Sequence, residues 1–169
     1  AAFEDLSFYR SKYKVYATPE KSGLMPLDID KIADQIRKIK TLDPNTFVIL
    51  FPHWGSNYQW CNQTQRSLSD SLFSCGIDLI IGHGAHMMQE FERRKTNLVL
   101  YSIGNFMFHS PGRYKIMEAP PYSSVASLEI QITNNLPDIQ LKLHPIVSDN
   151  KLTNYQPRFV NKEELDDLN

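Results

Sequence analysis

Phe47-Val48-Ile49-Leu50-Phe51-Pro52-His53-Trp54-Gly55 and Ile77-Asp78-Leu79-Ile80-Ile81-Gly82-His83-Gly84-Ala85-His86 are the two stretches that decide the fold. Each opens with a continuous apolar run of strand length, the pattern of a strand covered on both faces, and each ends in histidine. Between them, residues 63–75 read as a helix with Leu68, Leu72 and Phe73 turned inward, and Gly76 is placed to end it in the left-handed conformation. Strand, crossover helix and strand form a right-handed βαβ unit, and in such sheets ligands gather beyond the carboxyl ends of the strands. Both histidine motifs lie at such ends. A buried imidazole without a partner costs about 1–3 kcal/mol, so a chain that needed only a packed core has little reason to finish two buried strands this way.

Upstream, Asp28 is a plausible N-cap for a helix whose Ile29, Ile32, Ala33, Ile36 and Ile39 form one apolar stripe, with Lys31, Asp34, Arg37 and Lys38 on the opposite face. Asp43-Pro44-Asn45 breaks it. Downstream, Gln89-Glu90-Phe91-Glu92, a turn at Arg94-Lys95-Thr96-Asn97 and Leu98 through Ile103 read as a hairpin closed by Gly104-Asn105. Residues 109–124, with three prolines and a glycine and no periodicity, read as a loop. Val125 to Ile132 and Ile139 to Val147 then alternate apolar and polar around an Asn134-Asn135 turn. The tail at 161–168 is acidic and reads as a short surface helix.

The 169 residues suffice for one domain with a real core. Eighteen Lys+Arg against nineteen Asp+Glu leave a formal charge of −1, which disfavours nucleic acid and anionic membranes as partners. No apolar stretch approaches the roughly 20 residues that cross a bilayer, and Ala1-Ala2-Phe3-Glu4-Asp5 lacks the basic flank and apolar run of a signal peptide. Cys61 and Cys75 lie at opposite ends of the expected helix, about 21 Å apart at 1.5 Å per residue, too far for a disulfide to each other.

Imidazole suits zinc, iron, manganese and nickel, and dinuclear phosphoesterase sites combine several histidines with bridging carboxylates. Near the two motifs the acids are Asp78, inside a strand, and Glu90, in the hairpin, so these residues supply about half of a coordination shell. A histidine at a strand end is also commonly a hydrogen-bonded structural residue, and both readings stand on spacing alone.

His53-Trp54-Gly55 with Tyr58, then Gln65, then Gly76 through His83, then His86 and Gln89, and finally Tyr101-Ser102-Ile103-Gly104-Asn105-Phe106-Met107-Phe108 resemble the signature blocks of the bacterial capsule-synthesis CapA family, in order and spacing, over residues 28–147. The resemblance implies an α/β (α+β) fold, the C-terminal half of a calcineurin-like metallophosphatase αββα sandwich with a two-metal site at the sheet edge. It implies that His53 and His83 ligate one divalent ion and His86 the other, as the catalytic and metal-binding set, with manganese, iron or zinc as the metal. Completing that site takes blocks that supply two aspartates and an asparagine-histidine pair, and nothing in residues 1–52 resembles those blocks, so the missing N-terminal half of the domain is an expected partner.

Trp54, Asn57, Tyr58 and Asn105 are the expected substrate-binding residues, Asn105 either by bonding a ligand or as an ordinary turn residue. His109 either lines the cleft or is solvated in the loop, and His144 reads as a surface residue. Where Asn57 stands the family usually has glutamate, and where Gly84 and Ala85 stand it usually has histidine and proline. The activity the resemblance implies is metal-dependent phosphoester hydrolysis within capsule or polyglutamate-type polymer biosynthesis. The alternative, which the departures at Asn57 and Gly84 favour, is a non-catalytic component that holds or exports an anionic polymer. Location at the cell envelope or its outer side follows from the resemblance, with the cytoplasm as the alternative.

Overall fold

The computed structural model describes residues 2–4, 6–94, 96–133 and 136–168. In chain order the elements are β1 (Ala2–Phe3), α1 (Ser7–Ser11), α2 (Ile29–Leu42), β2 (Ile49–Leu50), β3 (Pro52–His53), α3 (Gln63–Ser74), β4 (Leu79–Ile81), β5 (Phe91–Arg94), β6 (Asn97–Leu100), α4 (Arg113–Ile116), β7 (Tyr122–Thr133), β8 (Leu136–Val147), α5 (Asn150–Thr153), β9 (Arg158–Phe159) and α6 (Lys162–Asp166).

The central sheet runs β2-β4-β6-β5, with β4 parallel to both neighbours and β5 antiparallel to β6. The β2-α3-β4 unit is the βαβ crossover that the two apolar runs predict. Period-two alternation along β4 sorts its side chains between two cores. Ile80 faces α2 and α3, in a cluster with Ile32, Ile36, Leu72, Val99 and Tyr101. Leu79 and Ile81 face the other way, with Leu100, onto Ala126, Leu128, Leu141 and Leu143 of the β7-β8 hairpin. Burying each of these large side chains contributes about 1.5–3 kcal/mol. The result is helices, mixed sheet and antiparallel sheet (β7-β8-β9) in layers, a mixed α/β architecture that agrees with the C-terminal part of a metallophosphatase-like sandwich.

Local signals place the helices. Asp28 accepts from the Lys31 amide at 3.2 Å, and Asn62 with Gln65 forms a capping box on α3. Gly76, at φ 98°, follows the end of α3 as expected. Both cysteines are free.

Two expectations are corrected and one is limited. The 47–51 run does pack on both faces, Val48 and Leu50 on one core and Phe47 and Ile49 on the other, but only partly: residues 47–50 are half-buried and Phe51 is 43% exposed. The reason is topological, because β2 is the edge strand of its sheet. The supposed loop at 109–124 contains α4 and the start of β7, and α4 is nailed down by Tyr114, which is completely buried among Tyr58 and Met87. The hairpin over 89–103 is shorter than expected, β5 with β6, and its turn, like the Asn134-Asn135 turn, includes residues outside those described. The tail forms α6, capped by Asn161 and Glu164.

Residues 2–27, which carry no periodicity, also take part. β1 pairs in parallel with β3, Ala2 opposite Pro52 and Phe3 opposite His53. On the other side of β3, His53 bridges His83, with the His83 amide donating to Pro52 O and the Trp54 amide to His83 O. The histidine-bearing strand end therefore lies between β1 and the continuation of β4.

Candidate functional site

The parallel register at the strand ends brings His53 and His83 side by side, with their Nδ1 atoms 3.1 Å apart. One ring donates and the other accepts. Phe3 stacks on the far face of His53 at 4.3 Å between centroids. Burial, reinforced by the positive ends of His83 and His86, pushes the His53 pKa down to about 4, and burial likewise lowers that of His83. Both rings are neutral at physiological pH, the state in which imidazole binds a metal.

His86 is held differently. It sits in a loop at φ 63°, and Tyr58, itself at φ 57°, stacks against it at 5.5 Å while Phe108 covers it at 4.6 Å. Left-handed backbone at a non-glycine residue costs about 1–2 kcal/mol and is found disproportionately at functional sites. The His86 Nδ1 lies 2.8 Å from Asn105 Oδ1. Hydrogen-bond bookkeeping fixes the proton. Tyr114 has one hydroxyl proton and must give it to the His86 carbonyl, 2.7 Å away. Its oxygen then accepts from Asn105 Nδ2 (3.3 Å) and from Ser148 (2.7 Å), which accepts from Ser123, which accepts from the Asn105 amide. With Nδ2 committed to Tyr114, the Asn105 oxygen faces the imidazole. His86 therefore carries its proton on Nδ1 and leaves a lone pair on Nε2.

The remaining expected residues separate by role. Asn57 borders two clefts, one of about 360 Å³ with Tyr58, His86, His109 and Arg113, and one of about 350 Å³ with Glu4, His53 and Gly55. Tyr58 is buried and donates to Ser110 Oγ at 3.0 Å. Trp54 is fully buried with its indole N–H on Tyr101 O at 2.7 Å, so its ring serves the core beneath the site. His109 does line the first cleft, where it stacks on Tyr155. His144 bonds Ser127 at an exposed position.

The two acids near the motifs do not turn toward the histidines. Asp78 binds the Val48 amide and Lys40, and Glu90 binds the Cys61 amide and Arg66. The Cys61 thiol is pushed up to about 11, chiefly by burial, and stays protonated at neutral pH. Among the described residues, no group of three or more His, Cys, Asp or Glu side chains converges as a metal set. The sequence reading missed Glu4, whose carboxylate accepts from the Gly55 amide at 3.0 Å beside His53, and Tyr114. No periodicity marks Glu4; an aromatic residue inside a proline-rich segment was the available signal for Tyr114.

A family model described as bacterial capsule synthesis protein PGA_cap matches residues 3–110. The chain belongs to this family. It is similar to the capsule biosynthesis protein CapA of Bacillus anthracis, 34% identical over 97 residues that make up 54% of this chain and 23% of the relative. It is also similar to the PGA biosynthesis protein CapA of Bacillus subtilis (strain 168), 31% identical over 87 residues, 51% of this chain and 22% of the relative. The aligned part is thus less than a quarter of either relative's length.

The backbone at Gly84 leaves no room for a side chain. At φ 112°, a Cβ there would stand 2.9 Å from Trp54 O and 3.1 Å from His53 Cδ2. The loop folds tightly over β3 in a conformation that admits no side chain at this position. Gln65 and Gln89, two further residues of the family blocks, are buried and bonded to each other at 2.9 Å, with Gln89 Nε2 holding Gln59 O at 2.8 Å. They are the frame for the loop that carries Asn57 and Tyr58.

Proposed function

We propose that these residues form the histidine side of a metal-dependent phosphoester hydrolase site in a protein of capsule-polymer biosynthesis. The observation that supports it is the His53–His83 pair. Two nitrogens at about 2.1 Å from one tetrahedral or octahedral ion stand roughly 3.0–3.4 Å apart, and the pair shows 3.1 Å between two neutral rings. His53 and His83 would hold one ion, His86 Nε2 would face the second, and carboxylates from outside these residues would bridge them. When bound, such ions position a phosphoryl group and lower the pKa of a water toward about 7. His86, fixed as the Nδ1–H tautomer, presents Nε2 to accept or relay a proton near the leaving oxygen.

The second reading is a non-catalytic component that holds an anionic polymer. It is favoured by the side chains around the histidines: among the described residues no three His, Cys, Asp or Glu side chains converge as a metal set, and asparagine and glycine stand at 57 and 84. Metal analysis of the full-length protein, together with a panel of phosphomonoesters and phosphodiesters, separates the two. Bound transition metal with turnover supports the hydrolase; neither metal nor turnover, with retained binding of an acidic polymer, supports the second reading.

A further inference from the structure

We propose that the cleft between the Asn57-Tyr58 turn and the 108–116 segment is an oxyanion subsite, built around Arg113, that takes a carboxylate or phosphate group of the substrate. Its charge is one-sided. The lining holds one cation, Arg113, with the polar side chains of Asn57, Ser110, His86 and His109, and no aspartate or glutamate. Four other guanidinium groups hold a carboxylate, Arg37 with Asp34, Arg66 with Glu90, Arg94 with Glu92 and Arg158 with Glu164, while Arg93, exposed on β5, holds none and is not among the residues that line this cleft. Arg113 has no ion pair among the described residues.

An arginine without a carboxylate partner, at a cleft whose lining holds no acid, leaves its planar fork of N–H donors to an oxyanion from outside. Ser110 adds a donor. Its oxygen accepts from Tyr58, its own hydroxyl proton has no acceptor among the described residues, and its amide is tied to Asn150 Oδ1 at 2.7 Å. His109 is stacked on Tyr155, so the segment is anchored on both sides before any ligand arrives.

A volume of about 360 Å³ admits one acidic unit and its immediate neighbours. His86 closes one end. The subsite thus sets where a charged group lies relative to the histidines, and it rests on the proposed hydrolase only in treating the His86 end as the reacting end.

The test is titration of the full-length protein with inorganic phosphate and, separately, with glutarate, in EDTA so that no metal holds the anion, read by calorimetry and by the amide resonances of residues 108–116. Saturable binding of at least one is expected, the tighter one naming the preferred group. Arg113→Ala should weaken it about tenfold or more, and Arg93→Ala, an exposed arginine on β5, by under about twofold. Failure of both anions to bind, or Arg113→Ala affinity within about twofold of the parent, overturns the subsite. Because the chelator removes metal from the measurement, metal loss in His53→Ala bears on the hydrolase reading alone.

Discussion

His53 and His83 on one side, and His86 on the other, are the same residue type held in opposite ways. The first two are delivered by strand backbones in register and meet with their Nδ1 atoms 3.1 Å apart, Phe3 stacking on the far face of His53. Their protonation is set by burial, and each leaves its second partner to be supplied. The third is carried on a loop with left-handed backbone, and its proton is assigned by a chain through Asn105, Tyr114, Ser148 and Ser123. A rigid scaffold fixes where the pair is; a polar network fixes what the single histidine does. This division is the one expected where a pair waits for a ligand and a lone ring must act in a single tautomer.

The most severe way to break the comparison is to remove one member of the pair. Under the proposed function, His53→Ala or His83→Ala should lower metal affinity of the full-length protein by more than the ~10–100-fold that loss of an outer hydrogen-bond partner costs. Metal content by mass spectrometry after dialysis checks this; unchanged stoichiometry in both variants would remove these residues from any coordination shell.

The next largest effect strikes the network. Tyr114→Phe keeps the ring that packs on Tyr58 but deletes the hydroxyl that satisfies the His86 carbonyl, Asn105 and Ser148. Three polar groups lose a partner at once, and a destabilisation of about 1–3 kcal/mol follows. Denaturant unfolding reads it. A milder change at the same place is Asn105→Asp, in which an acceptor still faces His86 but Tyr114 keeps only Ser148 as a donor. The His86 tautomer should persist in the nitrogen-15 spectrum of Asn105→Asp and become mixed in Asn105→Ala. If it is mixed in the parent protein, the proton assignment fails.

How much of this was visible beforehand follows the same division. The strand ends were legible because continuous apolar runs announce strands and the crossover helix between them announces a parallel register; His53 beside His83 is a consequence of that pattern. The edge position of β2 was not, because strand order is a tertiary property and Phe51 looks like any core residue in the run. β1 is two residues long and has no period of its own; Phe3 and Glu4 reach the site only through pairing with β3. The network around His86 was the least legible part. Asn105 stood out as a turn residue near the site, but Tyr114, Ser123 and Ser148 come from three segments whose meeting no local spacing encodes.

The smallest effect is the pH response of the metal-free protein, and its sign is fixed by burial. The unfolded chain protonates His53 near its ordinary 6.5, whereas the folded chain resists until about 4 because burial and the neighbouring imidazoles oppose the charge. Between these values the unfolded state binds more protons, so stability falls as pH drops from 6.5 toward 4, and this contribution is flat above and below that window. The ring is only half-buried, and solvent screening holds the effect to the order of 1 kcal/mol. Urea midpoints of the metal-free protein across this range should decline, and His53→Gln should flatten the decline because glutamine does not titrate. A parent protein whose midpoint is level across the window would mean that the two rings take up protons freely, and the pair would then lack the neutral, preorganised state that distinguishes it from an ordinary surface histidine.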